Sequence, residues 1–393
     1  MEKISDQTRL RPWMGFVLFI AVMVFFIFGA APLQQNLGIP GLVLTELGFL
    51  VIAVIYCLIR RVKIREVFPV KKPKVREVIG AILLVIGMFP LSLIAVAISA
   101  LIFPWSASEA GDLSSFIYEG MNYPVAVLIV ALLPAICEEA IHRGAILSNF
   151  RSIKRDWVIV LIMGILFGLN HMSFLRFLTT MLLGIFFSYV VVKRNNILLS
   201  VIMHFTNNLI SVSLGFLTKD AAAASSSAID YTQVLGTYLI LGLASPFIIT
   251  LGMMLVHPEG HKKIRFLFAG IMSAVMLVSG IAVTAVSSAK RQILNVSYGY
   301  QVTEEAMEDS SIDFTVDEDR TATVVILIMN AEGNYKVSID GDSGSNIINA
   351  EIPKNKIRMV TYNVNLKADH YKVTVIPDST AIGERPQIQI TIQ

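Results

Sequence analysis

Nine stretches of this chain, approximately 13–33, 42–59, 79–104, 123–149, 157–171, 177–192, 197–216, 233–256 and 266–288, come close to the length and apolarity of a membrane span. A spanning helix needs about 20 mostly apolar residues, because each rises about 1.5 Å and the hydrocarbon layer is about 30 Å thick. The fifth and sixth stretches fall short. Only Met172 to Arg176 separates them, so their connection is expected inside the bundle, where irregular backbone is tolerated only against protein or a wet cavity. Composition agrees: 55% of residues are hydrophobic and 16% charged, against about 25% charged in soluble domains. A soluble globular fold is excluded.

Basic residues near span ends stay in the cytoplasm, so their distribution sets orientation. Lys3, Arg9 and Arg11, the eight lysines and arginines of 60–76, and Arg151, Lys154, Arg155, Lys193, Arg194, Lys262, Lys263 and Arg265 make 19 on one side. Arg176, Lys219, Lys290 and Arg291 make four on the other. This places the N-terminus in the cytoplasm and the segment after the ninth span outside. The basic loops read as topology signals, and no nucleic-acid partner is expected. The formal net charge of +3 hides a split: residues 1–291 hold 24 Lys+Arg against 14 Asp+Glu, and residues 292–393 hold 8 against 15. Two domains are therefore expected, a transmembrane domain at 1–288 and an acidic extracytoplasmic one at 292–393. The two cysteines, Cys57 and Cys137, both lie in apolar runs and offer no disulfide framework.

In the C-terminal part the hydrophobic period shortens to two. Segments 321–329, 335–339, 357–366, 371–376 and 387–393, with 297–304 and 312–316, alternate between turns rich in Gly, Asp, Asn and Pro. Seven or eight short strands in about 100 residues fit an immunoglobulin-like sandwich. Its one histidine, His370, reads as a surface residue.

An ionisable side chain in hydrocarbon costs about 2.5–3.5 kcal/mol even on the insertion scale, so each one there needs a partner or a task. The fourth span contains Cys137-Glu138-Glu139-Ala140-Ile141-His142-Arg143, the fifth Phe167-x-x-x-His171, the seventh His204-x-x-x-Asn208, and the second Glu46. Glu139 and Arg143, four apart on one face, can pair. Glu138 points about 100° away, toward His142 or toward the bundle interior. His204 and Asn208 share a face and form a donor pair. Counted from the nearest cytoplasmic loop at about 1.5 Å per residue, Glu138, His171 and His204 all fall roughly 15–20 Å deep. His142 is expected at the cytoplasmic interface, Cys137 as a buried apolar thiol, and Glu46 has no assigned role.

Glu138-Glu139-x-x-x-Arg143, Phe167-x-x-x-His171 and His204-x-x-x-Asn208, in this order on separate apolar helices, resemble the motifs of the CAAX protease and bacteriocin-processing family of intramembrane proteases (CPBP, or Abi). The resemblance covers roughly residues 79–216 and implies a polytopic α-helical membrane protein, here an eight-helix protease-like core plus one span that leads to the sandwich. It implies endopeptidase chemistry in a membrane cavity. Glu138 would be the general base, His171 would help to hold the water, and His204 and Asn208 would donate to the tetrahedral oxyanion. Glu139 and Arg143 would hold the helix and orient Glu138. The family is also described as metalloproteases; in that case Glu138, His171 and His204 would be zinc ligands with one open position. The metal-free arrangement is preferred, because Glu138 cannot easily be both ligand and base.

The expected setting is a bacterial plasma membrane, and the expected partners are the lipid bilayer and a membrane-embedded peptide or protein substrate. Residues 292–393 would meet an extracytoplasmic protein or cell-wall polymer. Two other function classes stand beside the protease: a non-catalytic scaffold or immunity factor working through the C-terminal domain, and a transporter or proton pathway.

Overall fold

The computed structural model describes residues 10–103, 106, 120–224, 230–259, 262–291, 293–299, 302, 311–329, 332–344, 346–352, 357–384 and 386–392. The chain divides into two compact units, Met1–Thr284 and Ala285–Gln393. Lys3 and Arg9 of the basic N-terminus lie outside the described residues, as do 300, 301, 303 and 304 of the expected 297–304 strand.

Among the described residues eight helices are long and apolar enough to cross a membrane: α1 Pro12–Leu37, α2 Ile39–Arg60, α3 Val75–Ile102, α4 Tyr123–Ile146, α6 Phe174–Arg194, α7 Ile197–Thr218, α8 Tyr231–Val256 and α9 Lys262–Ser288. Between α4 and α6 lies α5, Asp156–Asn170, an apolar helix of 15 residues. At about 1.5 Å per residue it extends roughly 22 Å, short of a full crossing. The fifth expected span is thus a shorter helix. The connection from α5 to α6 is His171–Ser173, and α6 starts three residues earlier than its hydropathy suggested. Ser173 caps it by accepting from the Arg176 backbone N–H at 3.1 Å. Contrary to expectation the connection is only partly buried: Met172 and Phe174 are 54% and 55% exposed, while Ser173 is buried.

Helix ends follow local chemistry. Gly38 joins α1 to α2 at φ +60°, a left-handed conformation open to glycine without steric cost. α2 and α6 stop at Arg61 and Asn195, both left-handed. Asn196 then ties the loop before α3 to the start of α7. Its Nδ2 donates to the Lys71 carbonyl at 2.9 Å and its Oδ1 accepts from the Lys71 N–H at 3.2 Å.

Two departures from regular helix shape the centre. α4 carries π-turns at Val127–Leu132 and Ala140–Ile146, on either side of its Leu133–Glu139 section. Pro134 sits in that section and has no N–H to return to the carbonyl of Val130. α5 and α6 pack closely through glycines: a Cβ on Gly184 would lie 2.9 Å from both the Gly164 Cα and the Phe167 Cβ. That close approach draws Phe167 against α6.

The second unit is a sandwich of two four-stranded antiparallel sheets, β1-β8-β3-β6 and β2-β7-β4-β5. The strands are β1 Leu294–Gly299, β2 Ser311–Val316, β3 Arg320–Met329, β4 Tyr335–Gly341, β5 Asn346–Ile352, β6 Ile357–Leu366, β7 Asp369–Pro377 and β8 Gln387–Ile392. Alternation gives the core, with Ala322, Val324, Ile326 and Ile328 of β3 facing Tyr335, Val337 and Ile339 of β4 within one buried cluster. The last two strands lie in opposite sheets, whereas the immunoglobulin order places them side by side. β5 had no signal in the sequence because its Asn-Ile-Ile-Asn-Ala-Glu-Ile run does not alternate strictly. A Glu384 carboxylate bridges the β3–β4 turn, accepting from the Glu332 and Gly333 backbone N–H groups at 2.8 and 2.7 Å and from the Tyr335 hydroxyl at 2.9 Å. His370 is exposed, as expected.

Candidate active site in the helical unit

The site is built around an ion pair that has left water entirely. Glu139 and Arg143, both on α4 and both fully buried, meet at 2.7 Å between Oε1 and Nη1. A charge pair in such surroundings persists only when its remaining donors are satisfied. Arg143 meets that condition through α6: its second terminal nitrogen donates to the Gly184 carbonyl at 3.3 Å and Nε to the Ser188 hydroxyl at 3.4 Å. Its guanidinium lies 4.2 Å over the Phe167 ring and 5.2 Å from that of Phe187. Delocalised and weakly hydrated, a guanidinium suits this setting where an ammonium would not.

The same Glu139 oxygen accepts from Nδ1 of His204 on α7 at 3.0 Å. A carboxylate can only accept, so Nδ1 carries the proton and Nε2 faces away from the pair. His171, at the end of α5, is fixed in the same way: its Nδ1 donates to the Phe167 carbonyl at 2.9 Å, which leaves Nε2 with its lone pair. Phe167 connects these groups. The rings of His171 and His204 meet it edge to face at 5.0 and 5.9 Å, and so does that of His142 at 5.0 Å.

Glu138 follows a different course. Its Oε2 is buried and makes no hydrogen bond with any described residue. The charges of His204, Glu139, Arg143 and Arg176 all reach it. A base with one oxygen unpartnered among the described residues, held among fixed charges, can take a proton from a substrate or water.

Asn208 is placed by α4. Its Nδ2 donates at 3.3 Å to the Val130 carbonyl, the acceptor that Pro134 cannot serve, and its Oδ1 accepts from Asn207 at 3.2 Å. One of its two amide hydrogens stays available.

The structure therefore joins Glu139, Arg143 and His204 directly and adds His171 through Phe167. It does not pair His204 with Asn208, although they share a face of α7. His142 is fully buried beside Phe167 with both ring nitrogens unpartnered among the described residues, which corrects its expected interfacial position. Ser188, Phe187 and the Gly184 carbonyl gave no sequence signal. Arg176 read as a loop residue, yet its charge reaches both Glu138 and His171. Cys57 and Cys137 are buried free thiols.

A zinc reading of Glu138, His171 and His204 needs three convergent ligands. Among the described residues no group of three His, Cys, Asp or Glu side chains could hold a metal ion.

No curated protein and no solved structure matches the chain. Residues 120–210, which span α4 to α7 and carry every motif residue above, match the family described as Rce1-like, type II CAAX prenyl endopeptidase. The segment 120–210 is thus an Rce1-like CAAX-type endopeptidase domain in a polytopic membrane protein, consistent with the CPBP family of intramembrane proteases.

Proposed function

We propose that the chain is an intramembrane endopeptidase that hydrolyses a peptide bond in a membrane-associated peptide or protein by a glutamate-activated water. The observation that carries this reading is the pair of adjacent acids with opposite surroundings. Oε1 of Glu139 is held by both Arg143 and His204, while Glu138 makes no ion pair and its buried Oε2, like that of Glu139, has no hydrogen-bond partner among the described residues. Two carboxyls whose environments differ this much are suited to different tasks.

In the proposed reaction Glu138 takes a proton from a water as its oxygen attacks the scissile carbonyl, and Nε2 of His171 accepts a hydrogen bond that orients that water. The carbonyl becomes a tetrahedral oxyanion. Nε2 of His204 and the free amide hydrogen of Asn208 donate to it. For that task His204 must be an imidazolium, and the Glu139 carboxylate at Nδ1 supports the positive charge. Arg143 and Phe167 hold Glu139 and the histidines in register. The C–N bond then breaks, and Glu138 returns its proton to the leaving amine.

The basic loops support an N-terminus in the cytoplasm and residues 292–393 outside, where they would meet an extracytoplasmic protein or wall polymer. The test is comparative: membranes containing wild type or Glu138→Gln are compared by mass spectrometry of protein termini. Termini present only with wild type support the reading and identify the substrate. Identical sets of termini contradict it.

A further inference from the structure

Arg143 leaves water beside an acid; Arg151 does so without one. Arg151 lies in the turn that joins α4 to α5 and is half-buried. Its Nη1 donates at 2.6 Å to Oδ1 of Asn195, the left-handed residue that ends α6. Its other two nitrogens, Nε and Nη2, are buried and make no hydrogen bond with any described residue. In a guanidinium the hydrogens of Nε and Nη2 lie side by side on one edge of the plane, the edge that donates to two oxygens of one phosphate or carboxylate. Asn195 takes the nitrogen on the far side and leaves that edge unused.

No acid on this side of the helices is left to serve it. The acids described there are Glu66, Glu77, Asp156 and Glu259. Each faces another cation: Lys63 at 3.5 Å, Arg194, Lys193 at 2.7 Å and His257 at 3.1 Å, respectively. Lys71, Lys72, Lys74, Arg76, Lys154 and Arg155 add further exposed positive charge. The arrangement is held in place, because Asn196, next to Asn195, bonds the backbone N–H and carbonyl of Lys71. Arg151 and Lys71 are thus pinned to the same corner between α6 and α7. A desolvated charge is kept where a partner meets it, and the partner this corner fits is an anion from outside the described chain. Trp157, which opens α5 six residues after Arg151, is 61% exposed. A tryptophan there marks the level of the lipid headgroups, where basic pockets between spans take lipid phosphates.

We propose that Arg151 is the seat of an anionic phospholipid: its Nε–Nη2 edge donates to two oxygens of the headgroup phosphate, and Lys71 supplies the charge that favours a headgroup of net negative charge. The two nitrogens lie just below the surface while Asn195 and Lys71 are exposed. A rotamer change of one long side chain therefore brings the fork to the headgroup. The bound lipid joins the α4–α5 turn to the α6–α7 corner. This binding is independent of the proteolytic reading and stands or falls without it.

The experiment titrates the full-length protein in neutral detergent at about 0.15 M salt, with native mass spectrometry and thermal melting as readouts. The probes are short-chain phosphatidylglycerol, short-chain phosphatidylcholine and inorganic phosphate. Phosphatidylglycerol is expected to bind and to raise the melting temperature, and the other two to do neither at the same concentration. Arg151→Lys keeps the charge and loses the fork, and is expected to weaken phosphatidylglycerol binding at least about tenfold. That exceeds the roughly fivefold that one lost surface charge brings to Lys154→Gln. Arg151→Met removes an unpaired cation, so without lipid it is expected to melt at or above wild type, and phosphatidylglycerol should not shift it. Wild-type affinity in Arg151→Lys, or an equal response to phosphatidylcholine or to inorganic phosphate, overturns the proposal. So does an Arg151→Met protein that melts below wild type without lipid and keeps the wild-type affinity, the result a purely structural arginine gives.

Discussion

Nδ1 of His204 donates to Oε1 of Glu139 at 3.0 Å, linking α7 to α4 through the oxygen that Arg143 also holds at 2.7 Å. One carboxylate therefore orients the imidazole and balances the guanidinium. Replacing Glu139 by Gln leaves Arg143 buried without its counter-ion, and breaking a buried pair from one side costs about 3–5 kcal/mol. Glu139→Gln is expected to lower the unfolding midpoint and abolish turnover. Glu139→Gln with Arg143→Met should recover much of the stability and none of the activity, because a glutamine oxygen can accept from Nδ1 of His204 but carries no charge to support an imidazolium. Thermal denaturation alongside peptide cleavage separates the two effects. Recovery of activity in the double variant would show that Glu139 serves only the ion pair.

Asn208 stands in for the N–H that Pro134 lacks. Asn208→Ala should cost about 1–3 kcal/mol for the exposed Val130 carbonyl and about 10²–10³-fold in kcat for the lost oxyanion donor. Adding Pro134→Ala restores a backbone donor. Stability is expected to recover in that double variant and kcat to stay low, as measured by denaturation and steady-state kinetics.

Phe167 carries the Arg143 guanidinium on its face and three histidines at its edge. Phe167→Leu keeps apolar volume and removes the π face, worth about 2 kcal/mol to a desolvated cation. The expected result is a fall in kcat with little change in KM. Phe167→Tyr keeps the face and should retain most of the wild-type kcat. A rise in KM alone would assign Phe167 to substrate binding.

How far the chain could be read in advance depended on whether a feature was periodic. The long apolar helices and the alternation of β3, β6 and β7 are set by hydropathy, so their positions followed from the sequence to within a few residues. α5 read as a short apolar stretch at 157–171, and the 15-residue helix found there agrees. Residue spacing along α4 gave the Glu139–Arg143 pair, since both ends lie on one helix. Spacing along α7 put His204 and Asn208 on one face as a donor pair but could not name what holds each of them. Each finds its partner on α4, and no pattern within one helix encodes a contact to another. Pro134 was the available sign that Val130 needs an outside donor, while the two π-turns left no mark in the hydropathy. His142 looked interfacial because it is polar and near the loop; burial against Phe167 is a matter of how α4 and α5 pack.

The sandwich shares no site residue with α4 to α7. Deleting residues 292–393 is expected to leave cleavage of a short peptide within about twofold of wild type, since a separate domain contributes to function through its own contacts. Loss of peptide cleavage together with retained folding of the helical unit would favour a binding function for that domain over the proteolytic reading.

The most direct measurement is cleavage of a membrane-associated peptide by purified wild type and Glu138→Gln, with matched circular dichroism and thermal melting to establish that both are folded. The expected result is turnover by wild type and none above background by Glu138→Gln, a loss of at least about 10²-fold for a general base. Equal turnover by the two folded proteins would contradict Glu138 as the residue that activates water.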